Sequence, residues 1–186
     1  MKIAIYCGSA SGSKPEYLEA ATTLGHYFAE QGIDLVYGGG KVGLMGTIAD
    51  AVLEAGGQVF GFIPKALEDK EIAHTGLTSL TVVPDMHTRK AAMADLADAF
   101  VAMPGGAGTL EEIFEAWTWA QLGYHAKPCA FYNVAGFYDP LFSMVDTMIE
   151  TGFVKQEYSD MLIKTDRPET LIERIRHYQP PKKKWT

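Results

Sequence analysis

The residues best suited to chemistry form one run, Pro104-Gly-Gly-Ala-Gly-Thr-Leu-Glu-Glu112. Three glycines let the main chain approach a ligand closely, because no Cβ stands in the way. Where such a turn opens a helix, its free N–H groups and the positive end of the dipole make a site for phosphate. A carboxylate beside a bound anion is electrostatically awkward unless it meets positive charge. A sugar whose glycosidic bond is breaking supplies that charge as an oxocarbenium ion. Thr109 would then donate to a phosphate oxygen and Glu112 would face the ligand. The same two residues also fit a capping box, with Thr109 at the N-cap and Glu112 three positions on. Spacing alone leaves both accounts open.

A second glycine run, Gly38-Gly-Gly-Lys-Val-Gly43, matches G-x-G-x-x-G. A dinucleotide site also needs an acidic residue at the end of the next strand. That strand closes Phe60-Gly-Phe-Ile-Pro64 without a carboxylate, so two phosphate-cradling loops suit a mononucleotide better than NAD. Close helix–strand packing is the other use for these glycines. Arg89 stands in Asp85-Met-His-Thr-Arg-Lys90, near the start of an expected helix. It could pair with Asp85 along that helix. Beside a phosphate site its guanidinium is better suited to gripping an anion or a base. Ser9 lacks the G-x-S-x-G setting of a hydrolase nucleophile. Five scattered histidines and two distant cysteines offer no metal-ligand spacing, and no metal or other cofactor is expected.

The elements that must position these groups alternate. Apolar runs predict strands at 2–6, 33–37, 58–63, 80–83, 99–103, 128–133 and 161–164. Helical periodicity or capping signals predict helices at 17–31 (with Pro15 at a first helical position), 47–54, 86–96, 109–122, 140–151 and 168–177. Residues 65–76 show no period and read as a loop or lid. Phe114, Trp117, Trp119 and Tyr124 form an aromatic cluster suited to core or subunit contact, with the wall of a base pocket as the other use. This alternation predicts an α/β, Rossmann-like doubly wound parallel sheet of about seven strands with helices on both faces. All three glycine turns, including 7–13, should then meet at the carboxyl edge of the sheet, where such folds bind ligands.

With 186 residues the chain is expected to form one nucleotide-binding domain over 1–179, followed by a basic tail at 180–186. A net charge of −7 argues against nucleic-acid or anionic-membrane partners, which require a basic face. No stretch has the length or apolarity of a membrane span, and the N-terminus enters a strand at once, so no signal peptide is expected. Cys7 and Cys129 lie in or beside apolar runs and read as buried thiols of a reducing cytoplasm.

The motif P-G-G-x-G-T-x-x-E at 104–112, with Gly38–Gly46 and Met86–Lys90 in the same order, resembles the LONELY GUY family. Its members are cytokinin riboside 5′-monophosphate phosphoribohydrolases, often mislabelled lysine decarboxylases. The likeness runs from residue 3 to about 154, and the segment 71–77 looks like the bacterial form. What the resemblance implies is hydrolysis of the N-glycosidic bond of AMP or an N6-substituted adenosine 5′-monophosphate, releasing free base and ribose 5-phosphate. By position, Arg89 and Glu112 are then the catalytic pair. Gly105, Gly106, Gly108 and Thr109 hold the phosphate, assisted by Gly40 and Gly43. Met86, Lys90, Glu111 and Ser9 are candidates for contact with base or ribose. The resemblance also implies a homodimer or larger homo-oligomer. Two rival readings stand beside it, an NAD-dependent dehydrogenase, which needs the acid that Pro64 replaces, and a carrier. Retention of both Arg89 and Glu112 argues against a non-catalytic carrier of a phosphorylated cofactor such as molybdenum cofactor. A decarboxylase would need a pyridoxal phosphate lysine with its supporting partners, and no such set is visible.

Overall fold

The computed structural model describes residues 1–68 and 73–181. The expected Lys182-Lys183-Lys184 run of the tail lies outside the described residues. So do residues 69–72, within the expected lid and the start of the 71–77 segment.

Seven strands form one sheet: β1 (Lys2–Tyr6), β2 (Asp34–Tyr37), β3 (Val59–Pro64), β4 (Ser79–Val83), β5 (Ala99–Ala102), β6 (Cys129–Tyr132) and β7 (Leu162–Thr165). Every pairing is parallel and the order is β4-β3-β2-β1-β5-β6-β7. The inner strands bury both faces, which is why they read as continuous apolar runs and not as alternations. On one side Ile3, Ile5, Leu35, Val101 and Ile163 pack beneath α1 (Pro15–Glu30), α2 (Gly43–Glu54) and, further on, the last helix. A short helix, α3 (Lys65–Glu68), follows β3. On the other side Ala4, Tyr6, Val36, Phe100 and Phe131 pack beneath α4 (Met86–Leu96), α5 (Ala107–Leu122), α6 (Asp139–Glu150) and the one-turn α7 (Gln156–Asp160). The chain closes with α8 (Pro168–Arg176) on the first side.

The strand order reverses between β1 and β5, so the loops leaving these two neighbours diverge and open a crevice at the carboxyl edge. Main-chain hydrogen bonds tie the three glycine turns together there. The Gly8 N–H donates to the Pro104 carbonyl at 3.1 Å, and the Leu44 N–H donates to the Gly8 carbonyl at 3.1 Å.

Several boundaries differ from expectation for local reasons. Helix α2 begins at Gly43, four residues before the expected start, and Thr47 lies inside it with its hydroxyl donating to the Gly43 carbonyl at 3.0 Å. The expected loop at 65–76 holds α3, and its far end is pinned by His74. This buried imidazole accepts from the Gly76 N–H through Nδ1 at 3.0 Å, so its Nε2 carries the proton donated to Asp50 at 2.8 Å. Helix α7 gave no sequence signal. It is held where the Trp117 indole N–H donates to the Tyr158 carbonyl at 2.9 Å, which places Trp117 in the core. Among the described residues no helix is long and apolar enough to cross a membrane.

Candidate active site

The crevice holds a cavity of about 230 Å³, floored by the end of β1 and walled by the starts of α4 and α5. Of the residues singled out from sequence, Ser9, Met86, Arg89, Gly106, Gly108, Thr109, Glu111 and Glu112 all line it.

Its α5 wall corrects the capping box. The helix starts at Ala107, with Gly106 as an extended N-cap and no side chain capping it. Thr109 is therefore the third helical residue, and Glu112 lies too far along to reach back to the cap. Thr109 is buried, with its hydroxyl oxygen 2.1 Å from where a Cβ on Gly105 would stand. Gly105 is thus required by the tight fit of Thr109 under the turn, and it lines a neighbouring hollow instead of the main cavity. A Cβ on Gly106 or Gly108 would meet nothing within 4 Å, so the first-turn N–H groups are open to a ligand. These donors have no intrahelical acceptor, and the first i→i−4 bond runs from Leu110 to Gly106.

Helix α4 is set by Asp85, whose carboxylate accepts from the Thr88 N–H at 2.7 Å. That bond holds the carboxyl below its usual pKa range. Asp85 forms no ion pair with Arg89 within the described residues, which removes the intrahelical account. Arg89 is instead 5% exposed, with Nη1 3.6 Å from the Met86 sulfur and no hydrogen-bond partner for Nε. No described carboxylate forms an ion pair with it. A buried guanidinium without a counter-charge costs several kcal/mol (order of magnitude) unless a ligand supplies one.

Lys90, one position on, turns away from the cavity. Its Nζ sits 2.5 Å from Glu111 and 2.9 Å from Glu115, bracing α4 against α5. Burial opposes its charge, but the two carboxylates outweigh it and raise its pKa overall. Half-buried Glu112 lines the cavity itself. Burial, followed by the charge of Glu112, pushes the Tyr6 phenol and the Cys7 thiol well above their ordinary pKa values. Both therefore stay neutral beneath the carboxylate.

The second glycine turn divides its work. Gly43 adopts φ +59°, and a Cβ there would stand 2.4 Å from the Ser9 carbonyl carbon, so it serves the packing of α2 on the first turn. Gly40 bridges to Ala73, and its carbonyl accepts from the Tyr37 hydroxyl at 3.1 Å. Neither lines the cavity, because each is engaged with main chain behind it. The turn's contribution to the lining is Gly38, which sequence reasoning passed over. Met45, Met93 and Leu67 complete an apolar, sulfur-rich wall. Periodicity marks such residues only as core.

A family profile described as "Possible lysine decarboxylase" matches residues 45–175. The chain is 46% identical over 179 residues to the cytokinin riboside 5′-monophosphate phosphoribohydrolase LOG of Oryza sativa subsp. japonica, covering 96% of this chain and 74% of that protein. It is equally 46% identical over 179 residues to LOG7 of Arabidopsis thaliana, an enzyme of the same name, covering 96% of this chain and 82% of that protein. Among solved structures, that of TM1055 superposes with a TM-score of 0.71 at 23% identity, over 95% of this chain and 98% of that one. The Moco carrier protein of Chlamydomonas reinhardtii does so with a TM-score of 0.70 at 19% identity, over 95% and 96%. These two structural likenesses establish the fold alone.

Proposed function

The chain belongs to the LONELY GUY family of phosphoribohydrolases, and from that premise we propose that it hydrolyses the N-glycosidic bond of adenosine 5′-monophosphates. The substrate is AMP or an N6-substituted AMP, and the products are the free base and ribose 5-phosphate. The observation that carries this reading is the buried Arg89 guanidinium, which forms no ion pair among the described residues, sharing a cavity with an uncapped helix and a carboxylate. A nucleotide supplies the anion that the first two call for and the developing cation that the third calls for.

In the proposed reaction the 5′-phosphate rests on the N–H groups of Gly106, Gly108 and neighbours, with the Thr109 hydroxyl beside them. This tether holds the ribose over Glu112. As the bond from C1′ to N9 breaks, its electron pair leaves with the purine and positive charge gathers on the sugar. Glu112 stabilises that charge and takes a proton from the attacking water, whose oxygen bonds to C1′. Arg89 stabilises the negative charge on the departing purine, which then receives a proton. Met45, Met86 and Leu67 offer an adaptable apolar wall to the base and its N6 substituent. Glu111 and Lys90 hold α4 and α5 at the spacing the site needs.

Incubation with AMP and with isopentenyl-AMP tests this, with the products followed by chromatography. Free adenine or isopentenyladenine should appear together with equimolar ribose 5-phosphate. Binding of either nucleotide with no release of base would leave only a carrier.

The same reading makes the protein a homodimer or larger assembly of the cytoplasm. Support comes from apolar surface left exposed on and just beyond α4 and α5, at Met86, Leu122 and Tyr124. Two buried free cysteines fit a reducing compartment. Sedimentation equilibrium at micromolar protein should return at least twice the chain mass of 20.3 kDa. A monomer under those conditions overturns the assembly.

A further inference from the structure

Arg89 reaches its place in the cavity through space that any side chain at position 38 would occupy. A Cβ built on Gly38 would stand 1.7 Å from Nη2 of Arg89, 2.9 Å from its Cζ and 3.4 Å from the Met45 sulfur. These are its three nearest atoms, and all belong to side chains. Gly39 and Gly43 in the same turn have positive φ, and Gly38 does not. Neither backbone conformation nor main-chain crowding therefore demands glycine there. The one group that does is the guanidinium.

We infer that Gly38 is a positioning residue, with the absent Cβ forming the socket that aims Arg89 at the substrate. The inference rests on the proposed catalytic role of Arg89 and adds to it a residue that need not touch the nucleotide. Arg89 lacks the means to find this pose by polar contacts of its own. Nε has no partner among the described residues, and Nη1 has only the weakly accepting Met86 sulfur, three residues away on the same helix. Its aim is set by shape: Met86 and Met45 flank the tip, and the bare Cα of Gly38 admits it. A methyl group at Gly38 closes the socket and turns the guanidinium aside without moving α4.

The test is Gly38→Ala, alone and combined with Arg89→Ala. The atom that must give way is the tip of a flexible side chain, so the single variant should melt within about 4 °C of the parent. Its kcat on AMP should fall about 100-fold, the scale for losing one preorganised charged group. In the Arg89→Ala background the same change should cost nothing further, because both substitutions remove one interaction. Millimolar methylguanidinium should restore part of the turnover of Arg89→Ala while Gly38 is present, and none once alanine fills the socket. A merely structural glycine would not show that dependence. Full activity of Gly38→Ala beside an inactive Arg89→Ala overturns the inference and leaves the role of Arg89 standing. So do losses that multiply in the double variant, or rescue in both backgrounds. A fall in melting temperature beyond about 10 °C would place the cost on the turn itself and overturn it too. Parental turnover by Arg89→Ala overturns the inference and the catalytic role together.

Discussion

Glu112→Gln should lower kcat on AMP about 100-fold or more while KM changes little. Glutamine preserves the volume and most of the shape of the side chain, so α5 and the cavity stay as they are. What disappears is the negative charge and the basicity. Under the proposed mechanism both act only as the glycosidic bond opens, when the sugar becomes cationic and the water must lose a proton. The same proposal puts ground-state binding on phosphate contacts at Gly106, Gly108 and Thr109, which line the cavity with Glu112. An effect confined to kcat therefore identifies an interaction made in the transition state. The position of Glu112 supports that use. It is half-buried, in the cavity, above Tyr6 and Cys7, which burial and its own charge keep neutral. Neither of these two groups becomes a second anion beneath it. Single-turnover kinetics with AMP measure the chemical step directly. Near-full turnover by the glutamine variant would reduce Glu112 to an ordinary residue of α5.

The strands were legible because burial on both faces turns each into an unbroken apolar run, as in Phe100-Val-Ala102 or Leu35-Val-Tyr37. The start of α4 was legible because its cap is local, with Asp85 and Thr88 three residues apart. Contacts that cross the fold were not. Thr109 suits an N-cap by type, yet Gly106 can take the extended cap conformation unaided, which frees Thr109 to pack beneath Gly105. Lys90, beside Arg89 in the chain, reads as a contact to base or ribose until α5 brings Glu111 and Glu115 to it from more than twenty residues away. The G-x-G-x-x-G spacing announces a turn but does not say which missing Cβ matters to what. Gly43 answers to the Ser9 main chain and Gly38 to the Arg89 guanidinium, a distinction made only when β1, β2 and α4 meet at one edge. Arg89 shows the limit most sharply. Spacing left it two uses, pairing with Asp85 or gripping an anion or base, and only the folded helix, with Asp85 turned to the Thr88 N–H and Arg89 buried, separates them.

Adenosine in place of AMP should lose about 1,000-fold or more in kcat/KM, with much of the loss in kcat. The phosphate is remote from the bond that breaks, so its removal leaves the reacting atoms unchanged. In the proposed reaction its role is to anchor the ribose, and the anchor is the start of α5. The first turn carries no side-chain cap, and Gly106 and Gly108 leave its N–H groups open to the cavity. Two charge-assisted hydrogen bonds at about 1.5–3 kcal/mol each give roughly 3–6 kcal/mol, which spans 100-fold to more than 10,000-fold in rate. Binding energy from a non-reacting group can be spent on orientation at the reacting centre, so its loss appears in kcat as well as KM. Added inorganic phosphite tests the division: it should fill the empty anion site and raise adenosine turnover, while leaving AMP turnover unchanged or inhibited. If adenosine is cleaved as fast as AMP, the open N-terminus of α5 holds no phosphate during the reaction. Glu112 would then have to find the anomeric carbon through base contacts alone, and the geometry of the site would need another explanation.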